Sequence, residues 1–116
     1  MPELKLAAVE TRFAELIWAD APMTTAELVK KCEAALGWKR TTTYTVLRRL
    51  CDRGLFRSEG GTVSVVIPRE EYYAICSEQF VSDTFHGSLP AFLAAFSRRQ
   101  SLTDAEIEEI RRIIEK

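Results

Sequence analysis

Apolar residues in the first part of the chain recur with the spacing of amphipathic helices. This period predicts a first helix over residues 6–19, which the sequence Asp20-Ala21-Pro22 ends. A capping-box pattern follows at Thr24-Thr25-Ala26-Glu27. In such a box a hydroxyl and a carboxylate accept hydrogen bonds from backbone amides at the start of a helix. The second predicted helix begins there and ends at Gly37, which suits a left-handed cap.

A third predicted helix, from Arg40 or Thr41 to Gly54, has two chemically opposite faces. The face that points to a core holds Thr43, Val46, Leu47 and Leu50. The other face carries short hydroxyls followed by guanidiniums, on Thr41, Thr42, Thr45, Arg48 and Arg49. Threonine approaches a base edge or a phosphate without steric cost, and arginine donates two N–H groups to a guanine or to phosphate oxygens. The pattern predicts a helix that lies in a DNA groove.

The pattern after the third helix changes to that of strands. Val63, Val65 and Ile67 alternate as in a half-buried strand, and Gly60-Gly61 separates them from residues 55–59. Adjacent glycines supply the positive φ angles of a two-residue hairpin turn. Three helices followed by a hairpin predict a winged helix-turn-helix domain over residues 1–68, with the hairpin as its wing.

Residues 69–116 are predicted to form a helical dimerisation region. Its three helices cover about residues 70–86, 90–99 and 103–114, the last behind a second capping box, Thr103-Asp104-Ala105-Glu106. So short a segment buries only a modest part of its own surface, and we expect a second copy of the chain to cover the rest. The predicted dimerisation residues are Tyr72, Ile75, Phe80, Phe85, Leu89, Phe92, Leu93, Phe96, Ile107, Ile110 and Ile114.

Two other arrangements of these helices remain open. They could fold back on the first domain, or hold a small ligand between their phenylalanines. In every case the predicted fold class is mainly α with a small β-hairpin wing, a winged helix-turn-helix domain followed by C-terminal helices.

The composition limits the classes of function. The chain has 116 residues, 47% hydrophobic and 28% charged, as in an ordinary soluble domain with a small appendage. It has no apolar run of membrane-helix length and no signal-peptide core, so we expect a cytoplasmic protein without a membrane partner. Cys32, Cys51 and Cys76 are far apart on apolar segments and are predicted to be buried free thiols. The single histidine, His86, stands outside any catalytic or ligand motif. We therefore expect no enzyme activity, no metal and no cofactor.

Charge is distributed unevenly, although the net charge is only −1. Residues 30–57 contain eight basic and two acidic side chains, whereas residues 61–116 contain six basic and nine acidic ones. The first region is therefore suited to face phosphates, while the second is suited to another contact. Lys30 and Lys31 belong to the basic region, either as backbone contacts or as solvated side chains.

Several segments of the sequence match a known family, and together they span nearly the whole chain. They are residues 10–18, Thr24-Thr25-Ala26-Glu27-Leu28, residues 38–50, Arg53-Gly54-Leu55, Phe80, Phe85, Gly87-Ser88-Leu89 and residues 102–114. In these segments the chain resembles the penicillinase and methicillin-resistance repressors of bacteria, whose relatives include copper-responsive repressors. The resemblance implies a dimeric winged-helix repressor that binds a dyad operator and is released when a regulatory protease cuts its C-terminal region.

The chain departs from the family pattern in three places. The third helix starts with Lys39-Arg40-Thr41, where family members often have Ser-Pro or a similar start. The hairpin Ser58-Glu59-Gly60-Gly61-Thr62 lacks a basic tip, and Ala95-Phe96 stands where the antibiotic-resistance repressors are cut between Asn and Phe. The clustered cysteine tail of the copper-responsive members is also missing. The inducing signal therefore does not follow from the resemblance.

These observations predict a dimer that inserts the third helix into successive major grooves of double-stranded DNA and so occludes a promoter. The predicted DNA-binding residues are Lys39, Arg40, Thr41, Thr42, Thr45, Arg48 and Arg49. The three threonines are expected to contact base edges or backbone. The arginines and the lysine are expected to bind phosphates, with one bidentate guanine contact open to Arg48 or Arg49.

Alternatives remain for Arg49, for Trp38 and for the function of the whole chain. Arg49 could form a structural ion pair with Glu27 or Glu33, and Trp38 is expected to be a core anchor rather than a DNA contact. The whole chain could instead be a winged-helix module for protein–protein interaction that does not bind DNA. Steep salt dependence and a sequence preference would distinguish a DNA reader from such a module.

Overall fold

The computed structural model describes residues 4–115. In this part of the chain it contains six helices and three strands, in the order α1 Ala8–Asp20, β1 Met23–Thr24, α2 Thr25–Leu36, α3 Arg40–Asp52, β2 Phe56–Glu59, β3 Thr62–Val65, α4 Arg69–Phe85, α5 Leu89–Arg99 and α6 Asp104–Ile114. The predicted fold class, mainly α with a small hairpin, is confirmed. Two compact units divide these elements, residues 1–77 and residues 78–116, whose outermost residues, 1–3 and 116, lie outside the described part.

The helix ends follow the capping chemistry of the sequence. Thr24 precedes α2, and its hydroxyl accepts from the Glu27 backbone N–H at 3.1 Å. Glu27 does not complete the predicted box, because its carboxylate accepts from the Thr24 hydroxyl rather than from a backbone N–H. Gly37 ends α2 in the left-handed conformation, with φ of 67°. The second predicted box is complete, since Thr103 and Glu106 exchange both of its hydrogen bonds at the start of α6.

A three-stranded antiparallel sheet in the order β1-β3-β2 forms the wing and its base. Strands β2 and β3 pair from Phe56 opposite Val65 to Glu59 opposite Thr62, and Gly60-Gly61 turns between them with φ of 58° and 77°. The predicted hairpin is therefore confirmed. Strand β1 was not predicted, because two residues between a proline and a helix carry no alternating pattern.

One hydrophobic core joins α1, α2, α3 and the sheet in the first unit. Its largest fully buried side chains include those of Phe13, Ile17, Leu28, Leu50, Leu55, Phe56 and Val63. The predicted inner face of α3 is confirmed, since Thr43, Val46, Leu47 and Leu50 are all buried. Trp38 anchors the entry to α3, because its ring stacks on Phe13 with 5.4 Å between the centroids.

The segment before α1 is a non-helical arm, so the helix begins at Ala8, two residues later than the approximate start predicted at residue 6. Leu4 and Leu6 are buried in the core, and the Leu6 backbone N–H donates to the Tyr72 hydroxyl at 2.9 Å. Burial of two leucines and a long-range hydrogen bond outweigh the helical preference of two residues. The arm thus packs against the beginning of α4.

Tyr72, which was predicted to lie at the dimer contact, lies instead in the core of the first unit. Its side chain is only 3% exposed and belongs to the core of the first unit, with its ring 5.3 Å from that of Trp18. Ile75 and Cys76 also pack partly against this core. For that reason the first compact unit extends to Ser77, inside α4, whereas the boundary was expected at residue 68.

The second unit has a small aromatic cluster and little burial. Phe80, Phe85 and Phe92 meet edge to face with centroids 5.6 to 6.0 Å apart, and Phe96 lies 6.2 Å from Phe92. None of the described residues of α5 or α6 is buried. A large apolar surface therefore remains uncovered within residues 78–115.

The inner face of α3 is expected to carry much of the stability of the first unit. Leu50→Ala would remove a fully buried side chain and lower the free energy of unfolding by about 2–5 kcal/mol, because the cavity cannot fully collapse. Val66→Ala, at a position 45% exposed, is the control and should cost less than about 0.5 kcal/mol. Urea denaturation measures both, and equal costs would refute the assignment of this core.

Candidate nucleic-acid interface

Helix α3 presents every predicted DNA-binding residue to solvent. All seven of these side chains are exposed, namely those of Lys39, Arg40, Thr41, Thr42, Thr45, Arg48 and Arg49. Thr41, Thr42, Thr45, Arg48 and Arg49 point away from the four buried residues of the helix, whereas Lys39 and Arg40 lie at its amino-terminal end. The structure therefore brings the predicted set together on one surface, which we name the outer face of α3.

At the start of α3, Arg40 is arranged over the ring of Tyr44. Its guanidinium carbon lies 5.6 Å from the ring centroid, and Nη2 donates to the tyrosine hydroxyl at 3.5 Å. This contact with Arg40 is the main cause that lowers the pKa of Tyr44. Arg40 and Tyr44 thus contact each other on the first turns of α3.

The threonines of α3 differ in what they offer to a ligand. The Thr45 hydroxyl donates to the Thr41 carbonyl at 2.9 Å, one turn earlier in the same helix. A hydroxyl that donates its only hydrogen inward presents lone pairs and a methyl group outward. Thr45 is therefore suited to accept from a base amino group or to contact a thymine methyl. Thr43, in contrast, is buried and donates to the Lys39 carbonyl at 3.3 Å.

The two central arginines have different surroundings. Within residues 4–115, the Arg48 side chain forms neither an ion pair nor a hydrogen bond, so its guanidinium is available to phosphate. Arg49 donates from Nη1 to Glu10 Oε2 at 3.0 Å, while its side chain stays 54% exposed. The expected alternative of an ion pair for Arg49 is thus correct in kind, but Glu27 and Glu33 were the wrong partners.

Glu10, which pairs with Arg49 from the neighbouring helix α1, was not predicted as a functional residue. It is buried near the start of α1, and its Oε1 accepts from the Ala7 backbone N–H at 3.0 Å. That hydrogen bond is the main cause that lowers the pKa of the Glu10 carboxyl, with Arg49 and Arg53 adding to it against the effect of burial. A sequence signal existed, because Glu10 stands at helical spacing from Phe13 and Ile17 and therefore on the apolar face of α1.

The wing borders α3 and contributes modest charge. A shallow groove between them is lined by Tyr44, Leu47, Arg48, Cys51 and Ser58. Arg57 is exposed on β2, but the turn itself is Gly60-Gly61 beside an exposed Glu59. The wing therefore offers a narrow surface next to α3 rather than a basic tip.

The remaining candidates from the sequence lie away from the outer face of α3 or serve the fold. Lys31 forms an ion pair with Asp20. Cys32 is buried, whereas Cys51 and Cys76 are half-buried, and all three are free thiols. Burial raises the pKa of Cys32 and of Cys51. Among the described residues, no group of three histidine, cysteine or acidic side chains is placed to bind a metal ion, and no helix is long and apolar enough to cross a membrane.

The chain is similar over almost its full length to known repressor and regulatory proteins. A family model described as penicillinase repressor matches residues 6–116. The penicillinase repressor of Bacillus licheniformis is 26% identical over 116 residues, which cover 97% of this chain and 91% of that protein. The methicillin resistance regulatory protein MecI of Staphylococcus aureus is 20% identical over 122 residues, which cover 97% and 94% respectively.

The Glu10 carboxylate is expected to make stability depend on pH. Its pKa in the folded chain lies below the ordinary 4.5, so the ionised form favours folding. Glu10→Gln should therefore lower the free energy of unfolding at neutral pH. This difference from the wild type should shrink as the pH falls below 4.5 and through the lowered pKa. Urea denaturation across this range measures it, and a difference that stays constant would contradict the assignment.

Proposed function

Because the chain belongs to the penicillinase repressor family, we propose that it is a dimeric repressor that inserts α3 into the major groove of an inverted-repeat operator. Proteins of this family are repressors and not enzymes. The observation that carries the proposal is the outer face of α3, where exposed threonines and arginines lie on a helix whose other face is packed in a core. A rigidly held helix with such a surface fits the width of a major groove.

The order of residues along α3 supports a division of roles. Thr41, Thr42 and Thr45 lie on the first turns, and the first residues of a recognition helix are those that approach base edges. Arg48 is exposed one turn after Thr45 and is suited to a phosphate, as are Lys39 and Arg40 at the start of the helix. Phosphate contacts set the register, while base contacts supply the sequence preference.

The second unit supports the dimer. Phe80, Leu89 and Phe96 are 47%, 50% and 43% exposed, and Ile113 and Ile114 are 65% and 68% exposed. Exposed apolar side chains at this density, on the end of α4 and on α5 and α6, are typical of a surface that a partner covers. A second copy of the chain supplies an identical apolar face, which a two-fold interface requires. The proposed interface contains the predicted dimerisation residues from Phe80 onward and Ile113. Tyr72 and Ile75, which pack in the first unit, are not part of it.

Release by a regulatory protease extends the same proposal. The Ala95–Phe96 bond lies in the middle of α5, whereas proteolysis concentrates at exposed loop tips. A protease that acted at this bond would therefore need α5 to open locally first.

Substitutions on the outer face of α3 test the proposed reader. Thr42→Ala and Thr45→Ala should each weaken binding to the duplex best enriched from a random pool by about 5- to 100-fold, because each base contact contributes about 1–3 kcal/mol. Arg48→Ala should make the log–log salt dependence shallower by about 0.9 per subunit. Fluorescence anisotropy at several salt concentrations measures both quantities.

Matched controls lie on other helices. Thr84→Ala and Arg98→Ala remove the same groups from exposed positions in α4 and α5, and should leave affinity near that of the wild type. Unchanged affinity in all three α3 variants would refute the assignment. Shallow salt dependence without sequence preference would favour the protein-interaction module instead.

Charge placed on the apolar face of α6 tests the dimer. Ile113→Glu combined with Ile114→Glu should shift the chain from dimer to monomer in sedimentation equilibrium at micromolar concentration, because buried unpaired carboxylates are costly. Val66→Glu adds a carboxylate at a similarly apolar, exposed position of the first unit and should leave the dimer intact. A wild-type chain that sediments only as a monomer would refute the dimer.

A further inference from the structure

Glu10 places a buried negative charge directly beside a surface that is proposed to meet DNA. It is the one buried carboxylate among the residues that the structure describes. DNA repels a carboxylate, and an acid at such a position weakens attraction to phosphates. A carboxylate at this position therefore calls for a role other than attraction to DNA.

Both oxygens of Glu10 are engaged. Oε1 accepts from the Ala7 backbone N–H at 3.0 Å and lies 3.9 Å from Arg53 Nη1. Oε2 accepts from Arg49 Nη1 at 3.0 Å. The amino-terminal end of α1 also favours a negative charge. The carboxylate is thus fixed from one side by α1 and binds α3 with the other.

Stability alone does not account for the Glu10–Arg49 pair. More than half of the Arg49 side chain is exposed, and ion pairs with an exposed partner contribute little to folding, on the order of 1 kcal/mol or less. The pair does, however, change the guanidinium itself. A carboxylate at 3.0 Å restricts it to one orientation and offsets most of its charge at longer range.

We propose that Glu10 is a positioning residue for DNA specificity. It holds Arg49 in one orientation and weakens the attraction of the Arg49 guanidinium to phosphates until α3 is fully inserted in the groove. This inference rests on the proposed function. A mobile arginine binds any phosphate within its reach, whereas a fixed one reaches a phosphate only in the correct register. Glu10 therefore lowers non-specific affinity more than it lowers affinity for the operator. Arg48, which has no acidic partner within residues 4–115, supplies the unrestricted attraction.

Glu10→Gln tests this role while it keeps the local fold. Glutamine serves in a capping box as glutamate does, so its amide oxygen retains the hydrogen bond from Ala7. The variant should bind a random-sequence duplex roughly threefold more tightly per subunit, because the released Arg49 guanidinium can bind any phosphate within its reach. Its log–log salt dependence on that duplex should steepen by about 0.9 per subunit. Affinity for an equally long inverted-repeat duplex, enriched from a random pool by the wild type, should rise much less.

Two further variants separate positioning from a general effect of charge. Glu15→Gln makes the same change in the same helix, but Glu15 pairs with Arg69 and Tyr73 rather than with α3. It should leave both affinities near those of the wild type. When Arg49 is already alanine, Glu10→Gln should lose most of its effect on the random duplex, because the guanidinium that it releases is gone.

The outcomes distinguish the two proposals. If the wild type shows no salt-dependent DNA binding, the proposed function fails. If the wild type binds DNA but Glu10→Gln behaves as Glu15→Gln does, only this inference is overturned. It is equally overturned if Glu10→Gln weakens binding to both duplexes in the same proportion with an unchanged salt slope, since that is the result of a purely structural role.

Discussion

The packing of the inner face of α3 against the first core is the constraint on which the other features depend. Val46, Leu47 and Leu50 are buried there, with a buried threonine whose hydroxyl is satisfied within the helix. Because this face cannot rotate away from the core without exposing apolar surface, the opposite face is fixed toward solvent. The surface with threonine and arginine is thus a consequence of the core and not a separate structure.

A second level of organisation is electrostatic. The outer face of α3 combines an arginine without an acidic partner among the described residues, Arg48, with one held by a buried carboxylate, Arg49. The ion pairs of α1 connect this helix to two different elements. Glu15 is bound by Arg69 and Tyr73 and joins α1 to the start of α4, whereas Glu10 joins α1 to α3. One helix therefore contacts both α3 and the first turn of α4.

The local chemistry of the sequence predicted much of the secondary structure. Capping residues and the glycine pair determined where α2, α6 and the hairpin begin and turn, and helical spacing identified all four buried residues of α3. These features depend on neighbours in the sequence, and for that reason they could be predicted from it.

The features that were missed depend on contacts between distant residues. The arm before α1 is held by the burial of its leucines and by the hydrogen bond from Leu6 to Tyr72. Tyr72 lies in the core for the same reason, whereas helical spacing alone placed it at an interface. Glu10 pairs with a residue of α3, and no periodicity in α1 alone names that partner. Selection of bound duplexes from a random pool with the wild-type chain tests most directly whether α3 reads DNA as part of a dimer. We expect enrichment of an inverted repeat whose half-site centres are about one helical turn, roughly 10 base pairs, apart. Enrichment of no sequence, or of single half-sites without two-fold symmetry, would contradict it.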